Sequence, residues 1–489
     1  MSGRVINMAA TVQELADAVP PELLIEVIGS AGATLLDLTH DSRQVRLGSA
    51  FACVPGARFD GHDYAANAVE QGAELLLVER RLALNVPQIV ISDVRRAMGP
   101  VAAAIHGHPA GKLRMVGITG TNGKTTTTHL LGSILQAAGY EQRQIGTLSG
   151  ARTTPEAPDL QRRLAEFVDE GVDAVVMEVS SHALALHRVA GTRFEASVFT
   201  NLGRDHLDLH ESMESYFRAK ASLFSPQLTE IGVVNLDDPY GRLVADVAAV
   251  EMIGFTQDDA LDVEVGVDHH SFTWRGHSVF VPLGGRFNVM NSLAALTVSC
   301  VLGIDVEAAI RGLAECPPVP GRFELVSDPE RHTFAVVVDY AHTPDGLKEL
   351  LASARTLAGR AAVIAVFGCG GARDVDKRPL MGAVAAEYAD MVVITSDNPR
   401  HEDPAAIIKA TAAGIAARYS DAVMLEIDRR AAIAMALGAA RPGDVVVIAG
   451  KGHEKTQTIG EEVRAFDDRV VARQLLDELT ARTPIGDQT

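Results

Sequence analysis

Cysteine and tryptophan are scarce in this chain of 489 residues, with four Cys and one Trp. Cys53, Cys300, Cys316 and Cys369 stand alone, without a CxxC pair or regular spacing, which argues against a disulfide framework and fits a reducing cytosol. Basic residues are also short: 44 Lys and Arg face 63 Asp and Glu, for a formal charge of −19. Such a surface repels nucleic acid and anionic membranes, so an anionic ligand must be met by locally placed cations or a metal. No apolar run approaches the ~18 residues that cross a bilayer. The opening Met1-Ser2-Gly3-Arg4-Val5-Ile6-Asn7 offers no apolar signal-peptide core. The expectation is a soluble, cytoplasmic, monomeric protein with no membrane span and no nucleic-acid partner. Low-complexity tracts, short repeats and heptads are lacking too, which sets aside solenoids and coiled coils.

What the chain has is length and order. Its size predicts about three domains, each with its own core. Short apolar runs at 74–78 and 88–91 predict a small α/β unit ending near His108-Pro109-Ala110-Gly111. Further runs at 115–119, 174–179, 196–200 and 232–235, with helix-length segments between several of them, predict a mostly parallel sheet. A third series at 335–338, 362–367, 391–395 and 444–448 predicts a nucleotide-fold-like unit. The expected fold class is α/β in three domains: 1–110, a central P-loop ATPase-like parallel sheet at 111–328, and a Rossmann-like unit at 329–489. Unusual polar residues directly follow these strands, where open α/β sheets bind ligands, and two such faces imply a cleft.

The sharpest local signal is Gly117-Ile118-Thr119-Gly120-Thr121-Asn122-Gly123-Lys124-Thr125-Thr126. An apolar run, a glycine turn and Lys-Thr opening a helix describe a phosphate cradle: backbone N–H groups and the helix dipole face the anion. Lys124 neutralises terminal phosphate and Thr125 can ligate Mg²⁺. Its glycines fall at 117, 120 and 123, not at the usual P-loop spacing, and a purely structural turn is the alternative. Glu178 and His182 follow one strand, Asp205, His206, Asp208 and His210 another, and Lys220 comes shortly after. Carboxylate and imidazole beside a triphosphate suggest Mg²⁺, with caps or surface ion pairs as the other reading. No HExxH or Cys/His spacing supports zinc. Asn288 and Asn291 open an Ala/Leu-rich helix, either to meet adenine or to cap it. Gly368-Cys369-Gly370-Gly371-Ala372-Arg373-Asp374, leading to Lys377 and Arg378, suits a carboxylate or phosphate, or is a surface basic cluster. Asp397-Asn398-Pro399-Arg400 offers an acid, an amide and a guanidinium, the groups that grip a zwitterionic amino acid.

Taken together these segments resemble the Mur ligases, in their diaminopimelate-adding branch. The resemblance runs through Thr39-His40-Asp41-Ser42-Arg43, the GITGTNGKTT loop, Met177 to Val189, Thr200 to His210, the Tyr216 to Phe224 segment, Gly321-Arg322-Phe323-Glu324, Asp339 to Asp345, FGCGGARD, DNPR and AGKGHE. The unusual glycine spacing is that family's form. The resemblance implies an ADP-forming amide-bond ligase that uses ATP and Mg²⁺ in cytoplasmic peptidoglycan precursor synthesis. It would add meso-diaminopimelate to the D-glutamate of UDP-N-acetylmuramoyl-L-alanyl-D-glutamate through an acyl phosphate. Carried over residue by residue, Gly120, Thr121, Asn122, Gly123, Lys124, Thr125, Thr126, Asn288, Arg322 and Asp339 would hold ATP. Thr125, Glu178, His206 and a carbamylated Lys220 would serve the metal, with Lys124, Glu178, His206 and Lys220 as the catalytic set. For Lys220 a plain ion pair is the alternative. Ser42, Thr153, Thr154, Ser181 and Arg188 would meet the UDP-dipeptide. Arg373, Asp397, Asn398, Arg400, Gly450 and Glu454 would meet diaminopimelate, with Arg400 pairing with the far carboxylate that lysine lacks. Two departures stand out: Glu211 follows His210 where many relatives carry glycine, and Thr153-Thr154-Pro155 leads into Glu156-Ala157.

Two other readings compete. A folylpolyglutamate synthase would share the ATPase, but DNPR, GKGHE and the N-terminal segment argue against it, and no pterin pocket is evident. A nucleotide-dependent switch would leave the polar loops at the C-terminal strand ends without a purpose.

Overall fold

A computed structural model describes residues 10–29, 35–56, 59–150, 152–205 and 207–482. Its first sheet has five strands in the spatial order Leu24–Ile28, Gln88–Ile91, Ala73–Val78, Ser49–Ala52 and Asp37–Thr39. The first pair is antiparallel and the other pairs are parallel.

The central sheet has six strands, all parallel, in the order Gln142–Ile145, Ala174–Glu178, Arg114–Thr119, Phe194–Phe199, Thr229–Asn235 and Glu251–Phe255. Its middle strands are apolar almost without interruption because both faces are covered. Along Arg114–Thr119, Val116 and Ile118 face one core with Leu131 and Ile134 of the helix Lys124–Ala137. Met115 faces the other core with Leu160 and Leu164 of Ala157–Asp169. Alternation along one strand thus stitches two helix layers to one sheet.

The third parallel unit repeats this logic. Its six-stranded sheet runs Glu324–Leu325, Ala335–Asp339, Val445–Ala449, Val363–Phe367, Met391–Ile394 and Val423–Leu425. Only the first pair is antiparallel. Val337 and Val447 pack with Leu347 and Leu350, while Val336 and Ile448 pack on the opposite face with Ile433 and Leu476. Thr343-Pro344 starts the helix Pro344–Ala358: the Thr343 hydroxyl accepts from the Gly346 N–H and Pro344 sits in the first turn. Among the described residues no helix is long and apolar enough to cross a membrane.

Among the elements that the sequence reading did not name, one sheet carries a buried histidine. The strands Leu261–Val265, His270–Trp274 and His277–Val281 form a separate three-stranded antiparallel sheet. His270 at its centre is completely buried, bonding the Leu283 carbonyl at 2.6 Å and the Ser292 hydroxyl at 2.9 Å. Ser292 lies on the helix Phe287–Val301, so His270 ties this sheet to the central unit. Burial pushes the imidazole down from 6.5 to about 4.

The folded state therefore prefers neutral His270. Stability is full above about 6.5, is lost as the pH falls below that value, and levels off near 4, for a loss of at most about 3 kcal/mol. We expect the urea midpoint followed by fluorescence of Trp274, the single tryptophan, to fall more steeply over that window in the wild type than in His270→Gln. Equal slopes would rule His270 out as a source of this pH dependence.

Candidate active site

The phosphate-loop segment forms the turn between the strand Arg114–Thr119 and the helix Lys124–Ala137. Gly123 caps that helix with φ +86°, and a Cβ there would collide with the Asn291 side-chain oxygen. Only glycine combines that backbone with so close an approach. Lys124 Nζ donates to the carbonyls of Gly120 at 2.8 Å and Thr121 at 2.9 Å. Lys220, fully buried on the helix Met213–Ala221, donates to the same Gly120 carbonyl at 2.7 Å. Desolvation first, and then repulsion from Lys124, holds the Lys220 amine well below its ordinary value. Desolvation lowers Lys124 as well, with Glu178 and Asp205 opposing.

Glu178 closes the last turn of its strand as a buried carboxylate. It accepts from Thr125 Oγ1 at 3.1 Å, Thr147 N at 2.8 Å and Thr147 Oγ1 at 3.1 Å. Arg322 Nη2 donates to Thr125 Oγ1 at 3.2 Å from the far side, and its guanidinium lies 4.4 Å over the Tyr340 ring. These groups line one cavity of about 690 Å³, with Asn122, Asp339 and His342 also on its wall. Phosphate-loop, strand-end and C-terminal residues therefore share a single space. Asp339 is buried and anchors the junction: its carboxylate accepts from Phe323 N and Ala341 N, each at 2.7 Å, while burial pushes its pKa up.

Thr153 and Ser181 also reach this cavity. Thr154 lies just behind it and donates from Oγ1 to the Glu178 carbonyl at 2.8 Å. Arg188 donates to the Thr154 carbonyl at 3.3 Å and pairs with Glu156 at 2.9 Å. Glu156 also pairs with Arg152 at 2.6 Å and lies 3.7 Å from Arg95 of the N-terminal unit. Ser42 begins a short turn in that unit, away from the cavity. His206 lies outside the described residues.

Asn288 is bonded within the fold. It is completely buried, its Nδ2 donates to the Gly284 carbonyl at 2.7 Å and its Oδ1 accepts from Asn291 Nδ2 at 2.8 Å. Neither an adenine edge nor the helix N-terminus receives its amide in this arrangement. Asn291 reaches the cavity wall instead.

The DNPR and GKGHE segments meet beyond the ends of two strands of the C-terminal sheet, Met391–Ile394 and Val445–Ala449, which are separated by Val363–Phe367, and they lie outside that cavity. Asn398 Nδ2 donates to Asp397 Oδ1 at 2.9 Å and Glu454 Oε2 at 2.8 Å. Gly450 has φ +110°, and a Cβ on it would stand 2.8 Å from Asp397 Oδ2, so the two loops touch where only glycine fits. Arg400 has φ +51°. Its N–H donates to Thr458 O at 3.0 Å, its carbonyl accepts from Gly460 N, and its guanidinium donates to Gly371 O. That clamp holds an unfavourable backbone and keeps a half-buried guanidinium against the Gly371 carbonyl. Arg373 is exposed, and its side chain lies beside Gly370, which Arg400 also approaches.

Two residues of this region were missed by the sequence reading. Lys451 is completely buried and donates to Glu454 at 3.0 Å and the Thr456 carbonyl at 2.7 Å. It sits inside Gly450-Lys451-Gly452-His453-Glu454, so the motif held the signal. Tyr340 links the two sites, its ring lying 5.1 Å from that of His453 and beneath Arg322.

Among the described residues no group of three or more His, Cys, Asp or Glu side chains converges as a metal cage. The hydroxyl of Thr125 and the carboxylate of Glu178 do supply the hard oxygens that suit Mg²⁺.

Comparison with known proteins finds relatives over most of the chain. Residues 37–108 match the family described as "Mur ligase family, catalytic domain", 118–299 "Mur ligase middle domain" and 321–452 "Mur ligase, glutamate ligase domain". Relatives named UDP-N-acetylmuramoyl-L-alanyl-D-glutamate--2,6-diaminopimelate ligase are 44% identical in Streptomyces avermitilis, over 93% of this chain and 96% of the relative. The one from Gloeobacter violaceus is 47% identical over 91% and 94%. A solved structure bearing that enzyme's name superposes with a TM-score of 0.67 at 32% identity, over 96% of this chain and 99% of the other. A MurF structure from Acinetobacter baumannii shares the fold at TM-score 0.66 and 20% identity, over 97% and 99%. This chain belongs to the Mur ligase family.

Proposed function

We propose that this protein joins meso-diaminopimelate to the D-glutamate of UDP-N-acetylmuramoyl-L-alanyl-D-glutamate, consuming ATP. The observation that carries the reading is the convergence of Lys124, Thr125, Glu178, Lys220 and Arg322 on one cavity. The names of its relatives direct that machinery to this substrate. We assign residues 1–110 to the UDP end of the substrate, 111–328 to ATP and 329–489 to the incoming amino acid. One chain supplies every residue named, and the reaction belongs to the cytoplasm, where ATP is available.

The chemistry needs activation, because a carboxylate has no leaving group for an amine to displace. The D-glutamyl carboxylate attacks the γ-phosphorus of ATP, releasing ADP and leaving an acyl phosphate. The amine of diaminopimelate then attacks the acyl carbon, phosphate departs from the tetrahedral intermediate, and the amine gives up its proton. The protein's part is orientation and charge neutralisation. The 120–126 loop presents backbone N–H groups, Lys124 leaves the Gly120 and Thr121 carbonyls for phosphate oxygens, and Arg322 approaches from across the cavity. Mg²⁺, when bound, offsets phosphate charge, and Thr125, Glu178 and a carbamylated Lys220 are the groups that would hold it. His206 is assigned to the same set on resemblance alone. Thr153, Thr154, Ser181 and Arg188 are assigned to the dipeptide.

Lys220 suits carbamylation for a physical reason. A buried amine kept neutral attacks CO₂, forming an N–C bond and losing one proton, and the resulting anion then faces Lys124. Lys220→Ala is expected to lose nearly all turnover, with partial recovery when a short carboxylic acid is added. Wild-type turnover in that variant would refute the role.

Asp397, Asn398, Arg400, Gly450 and Glu454 form the proposed amino-acid pocket, in which Arg400 pairs with the distal carboxylate. L-Lysine lacks that group, and the unpaired guanidinium costs it about 2–4 kcal/mol. Discrimination between diaminopimelate and L-lysine, measured as the ratio of kcat/KM, should collapse in Arg400→Ala while the KM for ATP stays unchanged. A preserved ratio would remove Arg400 from the specificity argument.

A further inference from the structure

A guanidinium that no sequence motif marks lies beneath the amino-acid pocket. Arg429 opens the helix Arg429–Ala439 and is fully buried, as is its partner Asp468 at the start of the helix Asp468–Arg482. Its Nε and Nη2 each donate to the Asp468 carboxylate at 2.7 Å. Nη1 donates to the Ser396 carbonyl at 3.2 Å, and Nη2 also to the Ala449 carbonyl at 2.9 Å. Those carbonyls belong to the residues immediately before Asp397 and Gly450. Ala449 ends the strand Val445–Ala449 and Ser396 lies two residues past the end of Met391–Ile394, and these strands are not hydrogen-bonded neighbours, since Val363–Phe367 runs between them. The sheet ladder therefore does not set the gap between the loops that follow them directly.

We propose that Arg429, held in plane by Asp468, is a positioning residue for the amino-acid substrate: it fixes the separation of the 397–400 and 450–454 loops. The geometry of a guanidinium explains the choice. Its rigid fork reaches one carboxylate and two carbonyls in a single plane, which no lysine can do. The loops it spaces are in tight contact, since Gly450 admits no Cβ beside Asp397. Arg429 and Lys451 are also the cations that counter the burial of the Asp397 carboxylate. Arg429 touches neither the phosphate loop nor the cavity containing Lys124 and Glu178, so its influence should be confined to one substrate. This inference rests on the proposed ligase reading.

The test separates positioning from stability. A buried ion pair exchanged for apolar side chains of similar volume commonly keeps or raises stability. Arg429→Met combined with Asp468→Leu should therefore fold while losing the two carbonyl tethers. Steady-state kinetics on the purified full chain, with each of the three substrates varied in turn, should give a KM for meso-diaminopimelate raised about tenfold or more. The values for ATP and the UDP-dipeptide should stay within about twofold. Arg429→Lys, assayed below its unfolding temperature, should show the same split and serves alone if the double variant does not accumulate. An unchanged diaminopimelate KM in a folded variant, or an equal rise for all three substrates, would overturn the positioning role. Failure of the wild-type protein to form tripeptide product would instead overturn the ligase reading on which it rests.

Discussion

Two ammonium groups share one backbone carbonyl, and the active site is arranged around that crowding. Lys124 and Lys220 both donate to Gly120 O. Two like charges that close repel by about 4 kcal/mol at an effective dielectric constant of about 20. Burial removes the water that would have screened them. The pair persists because one member gives up its charge readily, and Lys220, with desolvation and Lys124 both acting against its cation, is that member. Two ligands relieve the strain from opposite sides. In the proposed reaction a triphosphate would draw Lys124 away, and carbamylation would turn Lys220 into an anion. The same crowding accounts for the neighbours: Tyr216 stands under Lys220 at 4.9 Å and bonds Thr121 at 3.0 Å, keeping the loop shut over the pair.

The second organising feature is distance between the chemistries. The phosphate cavity and the amino-acid loops occupy strand ends of different sheets, and a stack of Arg322, Tyr340 and His453 rings spans the interval. The backbone reinforces it, since Gly450 N donates to Asp339 O at 3.1 Å. Thr125 is therefore three contacts away from the GKGHE loop: its hydroxyl meets Arg322, Arg322 meets Tyr340, and Tyr340 meets His453. A change in what Arg322 touches has a packed route to the loop that carries Glu454.

How much of this was legible in the sequence depends on what each residue does. Strands buried on both faces announce themselves as apolar runs, so those at 115–119, 174–179, 335–338 and 444–448 were placed to within a residue or two. The sheet at 261–281 was invisible to the same reasoning. Its strands alternate, as in His270–Trp274, and present one face to solvent, so no continuous run marks them. Motif residues such as Glu178 and Asn398 were legible because chemistry demands their side chains. The bonds that Asn288 makes to Gly284 and Asn291 were not legible, because the sequence does not show which way a side-chain amide turns. Arg429 lay in an ordinary helix, 39 residues from Asp468 in sequence, and nothing local could have paired them.

The pairing partners of the cations separate those that bind from those that build. In a chain of net charge −19, a guanidinium or ammonium can nearly always find a carboxylate, yet the site cations mostly do not. Lys124 and Arg400 are held by backbone carbonyls, and Arg322 by a hydroxyl and a carbonyl. A carbonyl orients a cation without cancelling its charge, so the full charge remains for an anionic substrate. Arg429 is held by Asp468 in a bidentate pair, and Lys451 by Glu454. Their charge is already met, which suits a tie and not a binder. Arg188 falls between, sharing Glu156 with two other arginines, so that its charge is only partly met. The local partner, more than burial or residue type, decides which cations an acidic protein keeps available for its anionic substrates.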